Sequence, residues 1–148
     1  MEDRESGATV RVDEMLDSAL ESVDSAEETA LNVARDIGFA PEELDGLGMA
    51  VREAMVNAVV HGNRYNANKR VRFRVLQAFD GIQVEITDEG EGFDPDAVPD
   101  PLKEENLLQQ SGRGLLLIRA FVDEFEIQRA HPRGMRAMLL KRRVAPEQ

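Results

Sequence analysis

The stretch Leu47–His61, LGMAVREAMVNAVVH, constrains the fold more than any other part of this chain. Around Glu53 and Asn57 nearly every residue is apolar: Met49, Ala50, Val51, Ala54, Met55, Val56, Ala58, Val59 and Val60. A helix that is apolar on all sides is a buried one. Yet Glu53, Asn57 and His61 recur every fourth residue, which puts them in one stripe along that helix. Burying an ionised carboxylate without partners is costly, so the stripe either meets solvent or meets something that answers its charge. The small neighbours Ala50, Ala54 and Ala58 leave room for a ligand to lie beside it.

A second constraint comes from two alternating segments. Val71, Phe73 and Val75 alternate with Arg72 and Arg74, and Ile82, Val84 and Ile86 alternate with Gln83 and Glu85. Asp80-Gly81 between them is a strong hairpin signal. As a two-residue turn it pairs 79 with 82, 75 with 86 and 73 with 88. Alternation then points Asp88 to the same side as Val84 and Ile86, into the core, while Arg72, Arg74, Glu85 and Thr87 take the opposite, wetter face. An inward carboxylate at a strand end either caps a turn or receives a ligand. Gly90 and Gly92 follow it at once, where backbone can approach a ligand closely.

The third element is Ser111-Gly112-Arg113-Gly114 at the opening of a helix. Glycines let the backbone wrap an anion, and a helix start offers free amides and the positive end of its dipole. The pattern is weak alone, and the chain contains no GxxxxGK[ST] sequence.

The remaining elements complete one architecture. Residues 9–12 read as a short edge strand. A helix from about Ser25 stops at Gly38, and a second opens at Pro41, with Glu42 and Glu43 suiting its positive end, and runs to His61 and Gly62. Residues 94–111, acidic and rich in proline, read as a loop with the character of a lid. Helix resumes at Gly114, and strands at 124–130 and 135–142 flank the turn His131–Gly134. The order predicts an α+β fold, a two-layer α/β sandwich with helices on one face of a mostly antiparallel sheet. One domain over residues 9–143 is expected, with a frayed start at 1–8 and a tail at 144–148.

Charge and composition narrow the function. A net charge of -11 argues against nucleic acid as a partner, since phosphate backbones are bound by excess Lys and Arg. A nucleotide needs only a local nest of donors. The chain has no cysteine, which excludes disulfides and thiolate metal sites. No apolar run approaches the roughly 20 residues of a membrane helix, and MEDRESGATV lacks the pattern of a secretory signal, so a cytoplasmic location is expected.

Together, E-A-M-V-N-A (53–58), D-E-G-E-G-F (88–93) and S-G-R-G-L (111–115) resemble the N box and the two glycine boxes of the Bergerat ATP-binding fold, in the family's order and spacing. This superfamily includes histidine-kinase catalytic domains and gyrase-type topoisomerases. The resemblance spans roughly residues 20 to 142. Within the superfamily the chain is most similar to stand-alone anti-sigma-factor serine/threonine kinases of bacterial partner switching.

That resemblance implies ATP and Mg²⁺ as cofactors, and an anti-anti-sigma phosphoacceptor and a sigma factor as partners. It also implies a homodimer. Asp88 would accept a hydrogen bond from the adenine amine, with Gly90 and Gly92 beside the base. Asn57 would ligate Mg²⁺, Gly112, Arg113 and Gly114 would cradle the phosphates, and Glu53 would be the general base. Within the lid the only basic residue is Lys103, so Arg113 would supply most of the charge on the phosphates.

Two other functions fit parts of the pattern. One is a nucleotide-gated binding module without kinase activity. The other is a detached histidine-kinase catalytic domain, which the two histidines, His61 at a helix end and His131 in a turn, favour less. His61 reads as a cap or as a contact to Glu53 or phosphate. The Arg70, Arg72 and Arg74 stripe reads as solvated or as a partner contact, and Lys141-Arg142-Arg143 as a soluble end.

Overall fold

A computed structural model describes residues 4–5, 7–91 and 110–144 of the chain. They form a two-layer α+β sandwich in which three helices cover one face of a six-stranded antiparallel sheet. The strands are β1 (Arg4–Glu5), β2 (Ala8–Asp17), β3 (Arg70–Ala78), β4 (Gly81–Thr87), β5 (Glu124–Arg129) and β6 (Met135–Arg142). Their order across the sheet is β1-β2-β3-β4-β6-β5. The helices are α1 (Leu20–Ile37), α2 (Pro41–Val56) and α3 (Gln110–Phe121), and α2 continues directly into a π-helical segment, Asn57–Gly62.

The core lies between the layers. Val71, Phe73, Val75, Ile82, Val84, Ile86 and Leu139 of the sheet meet Val23, Ala26 and Ala30 of α1, Ala50, Val51, Ala54 and Met55 of α2, and Ile118 of α3. The spacing of the α1 residues is the helical one, so a single stripe of small side chains lets that helix lie close to its neighbours. Helix α1 ends where Gly38 takes a left-handed conformation at φ 110° and donates its N–H to the carbonyls of Ala34 and Arg35. Its start at Leu20 is earlier than expected, because Ser22, Val23 and Ala26 are buried although Ala19 carries no capping side chain.

Pro41 opens α2, and the Glu43 carboxylate accepts the Ala40 N–H at 2.9 Å. That bond satisfies an amide the helix start would otherwise leave free.

The hairpin register differs from expectation by two residues. Phe73 pairs with Ile86, Val75 with Val84 and Ala78 with Gly81, so Phe79 and Asp80 form the two-residue loop. Gly81 belongs to the strand because its neighbour demands a glycine: a Cβ there would stand 2.1 Å from the Lys141 carbonyl of β6. A shift of two leaves every side chain on its face, so the inward direction of Asp88 is unaffected.

Strand β2 has ten residues, more than the four expected, and lies inside β1. Of the expected frayed start, residues 4–5 form β1 and Ala8 is buried. The ladder of β2 to β3 runs from Thr9–Gln77 to Asp17–Arg70, and cross-strand charge pairs accompany it. Asp13 binds Arg72 at 2.8 Å and Arg74 at 3.4 Å, and Asp17 lies 3.9 Å from Arg70. The arginine stripe is thus answered by acids of its own chain.

The outer sheet face is also drier than alternation suggested. Arg74 and Glu85 are only 7% and 3% exposed. Glu85 accepts from Arg74 at 2.8 Å, from Arg136 at 2.6 Å and from Gln83 at 2.8 Å, so long side chains from three strands close over one carboxylate. Of the expected tail, Val144 donates its N–H to Glu43 at 3.2 Å, and residues 145–148 lie outside the described residues.

Candidate functional site

Asp88 immediately follows β4 and is 7% exposed, on the helix-covered side of the sheet. Beyond Thr87 the ladder to β6 gives way to specific bonds. The Asp88 N–H donates to the Met135 carbonyl at 2.9 Å, and its carboxylate Oδ1 accepts from the N–H groups of Gly90 at 2.9 Å and Met135 at 3.1 Å. Oδ2 accepts no hydrogen bond among the described residues and so keeps its capacity for a donor from outside. Burial pushes the Asp88 carboxyl above the usual carboxylate range, while the two amide bonds and the nearby Lys69 charge pull it back.

Glycines enclose this carboxylate. A Cβ on Gly62 would stand 2.4 Å from Asp88 Oδ2, one on Gly90 2.3 Å from the Gly62 carbonyl, and one on Gly134 2.0 Å from the Asp88 carbonyl. Gly134 also has φ 94°, a conformation only glycine adopts without strain. Gly62 and Gly134 were not among the expected site residues. In the sequence they read as a helix stop and a turn, and nothing in their neighbourhoods pointed to Asp88.

Helix α2 supplies the second group. Glu53 and Asn57 are half-buried and His61 is exposed, so the stripe splits and only its first two members turn inward. Asn57 begins the π-helical segment. Such wider turns occur often at functional sites, because they re-aim the residues that follow.

Helix α3 joins the other two. A Cβ on Gly114 would lie 3.2 Å from Glu53 Oε2 and 3.7 Å from both polar atoms of the Asn57 amide. The start of α3 therefore rests on the polar stripe of α2. The helix begins at Gln110, earlier than expected, so the final residues of the expected loop, Gln110 and Ser111, are helical. Gly112 and Arg113 fall among the first four residues, whose N–H groups have no acceptor within the helix. Gly92 and positions 94–109 of the expected lid lie outside the described residues.

The fold brings together Glu53, Asn57 and Gly114 at one place, and Asp88 and Gly90 beside the end of the same helix at Gly62. Among the described residues no three His, Cys, Asp or Glu converge in a group that could hold a metal ion. The Asn57 amide beside Gly114 fits a hard cation such as magnesium, which takes few protein ligands and keeps phosphate oxygens and waters. The open oxygen of the buried Asp88 carboxylate fits an amine donor.

Fold and site define a nucleotide-binding domain of the histidine-kinase type, and the chain belongs to that family. Residues 16–141 match the histidine kinase-like ATPase domain. The chain is 32% identical over 127 residues to the serine-protein kinase RsbW of Oceanobacillus iheyensis, an alignment covering 82% of this chain and 79% of that one. It is 32% identical over 106 residues to RsbW of Bacillus subtilis, covering 68% and 66% respectively. It is also similar to the anti-sigma F factor of Oceanobacillus iheyensis, at 30% over 102 residues, covering 68% and 70%. No described helix is long and apolar enough to cross a membrane.

Proposed function

We propose that this protein is an ATP-dependent serine/threonine protein kinase that also acts as an anti-sigma factor, with a small anti-anti-sigma protein as its phosphoacceptor. The reading is supported by the convergence of Glu53, Asn57 and Gly114 and by the neighbouring Asp88, in a chain similar to kinases and an anti-sigma factor of this kind.

Asp88 Oδ2 accepts a hydrogen bond from the exocyclic amine of adenine, and Gly90 and Gly92 let the base pack against backbone. The start of α3 holds the phosphates through the amides of Gly112 and Arg113 and the room left by the bare α carbon of Gly114, together with the Arg113 charge. Asn57 would hold magnesium through its amide oxygen, and the cation would neutralise phosphate charge.

Glu53 takes the proton from an incoming serine or threonine hydroxyl. The hydroxyl oxygen bonds to the γ-phosphorus, the bond to the bridging oxygen breaks, and ADP leaves. Phosphoryl transfer depends mainly on positioning and charge neutralisation, so one carboxylate one helical turn from the magnesium ligand meets its needs. The protein works in the cytoplasm, as a homodimer.

Calorimetric titration with ATP, with and without magnesium, tests binding. Incubation with labelled ATP and an anti-anti-sigma protein tests transfer, and acid-stable phosphoserine or phosphothreonine on the acceptor is the expected product. Binding without transfer would leave a nucleotide-gated docking module in place of a kinase. Acid-labile phosphate would point to a histidine kinase.

A further inference from the structure

Asn63 follows the last residue of the π-helical segment and is 1% exposed, one of the most deeply buried polar side chains described. Its Oδ1 accepts the Glu89 N–H at 2.7 Å, and its Nδ2 donates to Ser18 Oγ at 2.9 Å and to the Arg70 carbonyl at 3.1 Å. The amide orientation follows from its partners, because the Glu89 N–H can only donate and the Arg70 carbonyl can only accept. The Asn63 N–H donates to Ala58 at 2.8 Å, closing the π-helical segment.

These bonds join four places in the fold: the end of α2, Ser18 after β2, the start of β3 and the turn after β4. The three amides at that turn have three different acceptors. Asp88 donates to Met135, Gly90 donates to the Asp88 carboxylate, and Glu89 donates to Asn63. The first acceptor is strand backbone and the second belongs to the turn itself. Asn63 is the side chain that ties the turn to the helix layer. The preceding residue, Gly62, leaves no room for a side chain beside Asp88, since a Cβ there would stand 2.4 Å from Oδ2.

We infer that Asn63 is a positioning residue that sets where the Asp88 carboxylate stands and thereby makes the pocket selective for adenine over other purines. The inference rests on the proposed role of Asp88 as the acceptor for the adenine amine. Asn63 acts through the Glu89 peptide and through Gly62, without touching the nucleotide itself. It leaves the phosphate end, at Glu53, Asn57 and α3, to other residues.

The test compares magnesium complexes of ATP and inosine triphosphate, which carries an oxo group where adenine has its amine. Calorimetry measures both dissociation constants for the wild type, Asn63→Ala and Ser18→Ala. The wild type is expected to prefer ATP by at least about tenfold, the loss of one hydrogen bond to a charged group. Asn63→Ala should lose most of that preference, weakening ATP about tenfold and inosine triphosphate less than about twofold.

Equal weakening of both nucleotides would mean general loosening and would overturn the inference, as would an unchanged ratio. A wild type that binds both equally would instead remove the adenine role of Asp88. If Asn63→Ala shows no cooperative thermal unfolding, Ser18→Ala carries the test. It takes away one partner of the Asn63 amide, and the ratio should fall about threefold; an unchanged ratio overturns the inference.

Discussion

The α carbon of Gly62 sits against the carboxylate of Asp88, so close that a Cβ at residue 62 would stand 2.4 Å from Oδ2. One residue ends the helix layer and the other ends a central strand. The carboxylate proposed to receive adenine therefore stands against bare backbone.

Gly62→Ala separates local preference from tertiary packing. Alanine favours a helix over glycine by about 1 kcal/mol. Overpacking a tight site costs about 1–3 kcal/mol, and this site offers no space. The clash should win, giving a lower Tm and, with Oδ2 displaced, at least about tenfold weaker ATP binding. Thermal unfolding and calorimetry check both. A higher Tm with intact binding would show that the pocket yields.

Asp88→Asn should weaken ATP binding by about 10- to 100-fold, the range for a hydrogen bond to a charged acceptor. The amide can still accept both N–H bonds at Oδ1 but presents a donor to the adenine amine. Without nucleotide the variant should be at least as stable as the wild type at neutral pH. Burial raises the folded-state pKa, so the wild-type carboxyl is relatively favourable only when protonated. Its contribution to stability is full below the unfolded pKa and is lost as pH rises through the folded one.

The same shift governs binding in acid. Protonation gives Oδ2 a donor where an acceptor is needed, so ATP affinity should fall as pH drops through the raised Asp88 pKa. This fall should begin at a higher pH than an ordinary aspartate would produce. Titrations at a series of pH values, with Asp88→Asn as the control, should show a wild-type loss that the variant lacks.

Glu53→Gln keeps the shape beside Gly114 and removes the base. Transfer to the acceptor protein should fall about 10²- to 10⁴-fold, with the ATP dissociation constant within about threefold of wild type. Equal transfer rates in single-turnover assays would remove Glu53 as the base.

Arg74→Ala probes the opposite face of the sheet. It removes a guanidinium from the buried Glu85 carboxylate, which Arg136 and Gln83 still contact. Breaking a buried ion pair from one side costs about 3–5 kcal/mol, so urea unfolding should show a loss toward the lower end of that range. ATP affinity should hold, since Arg74 lies across the sheet from Asp88. Arg74→Met, which keeps volume but no charge, should lose as much or more if the charge matters.

Periodicity alone determined most of the secondary structure and the two-layer arrangement. Helices α1 and α2, the β3–β4 and β5–β6 pairs and the inward direction of Asp88 follow from where apolar residues recur, because burial enforces one face per element. Glu53, Asn57, Asp88 and Gly114 were legible as candidates because they break that periodicity: polar groups inside an apolar helix or strand, or a glycine at a helix start. The long strand β2 was not legible. It pairs with β3, some 50 or more residues away, with Asp13 and Asp17 beside its arginines, and such long-range pairing leaves no local trace.

Tertiary structure decided which of these residues meet. The hairpin register depended on Gly81 fitting against Lys141, a contact that exists only once β6 has docked. The roles of Gly62, Asn63 and Gly134 depended on three loops converging at one strand end. A sequence records the preference of each segment, but close approach between distant backbones is a property of the assembled layers. Only there does the absence of a side chain at residue 62 become room for the carboxylate at residue 88.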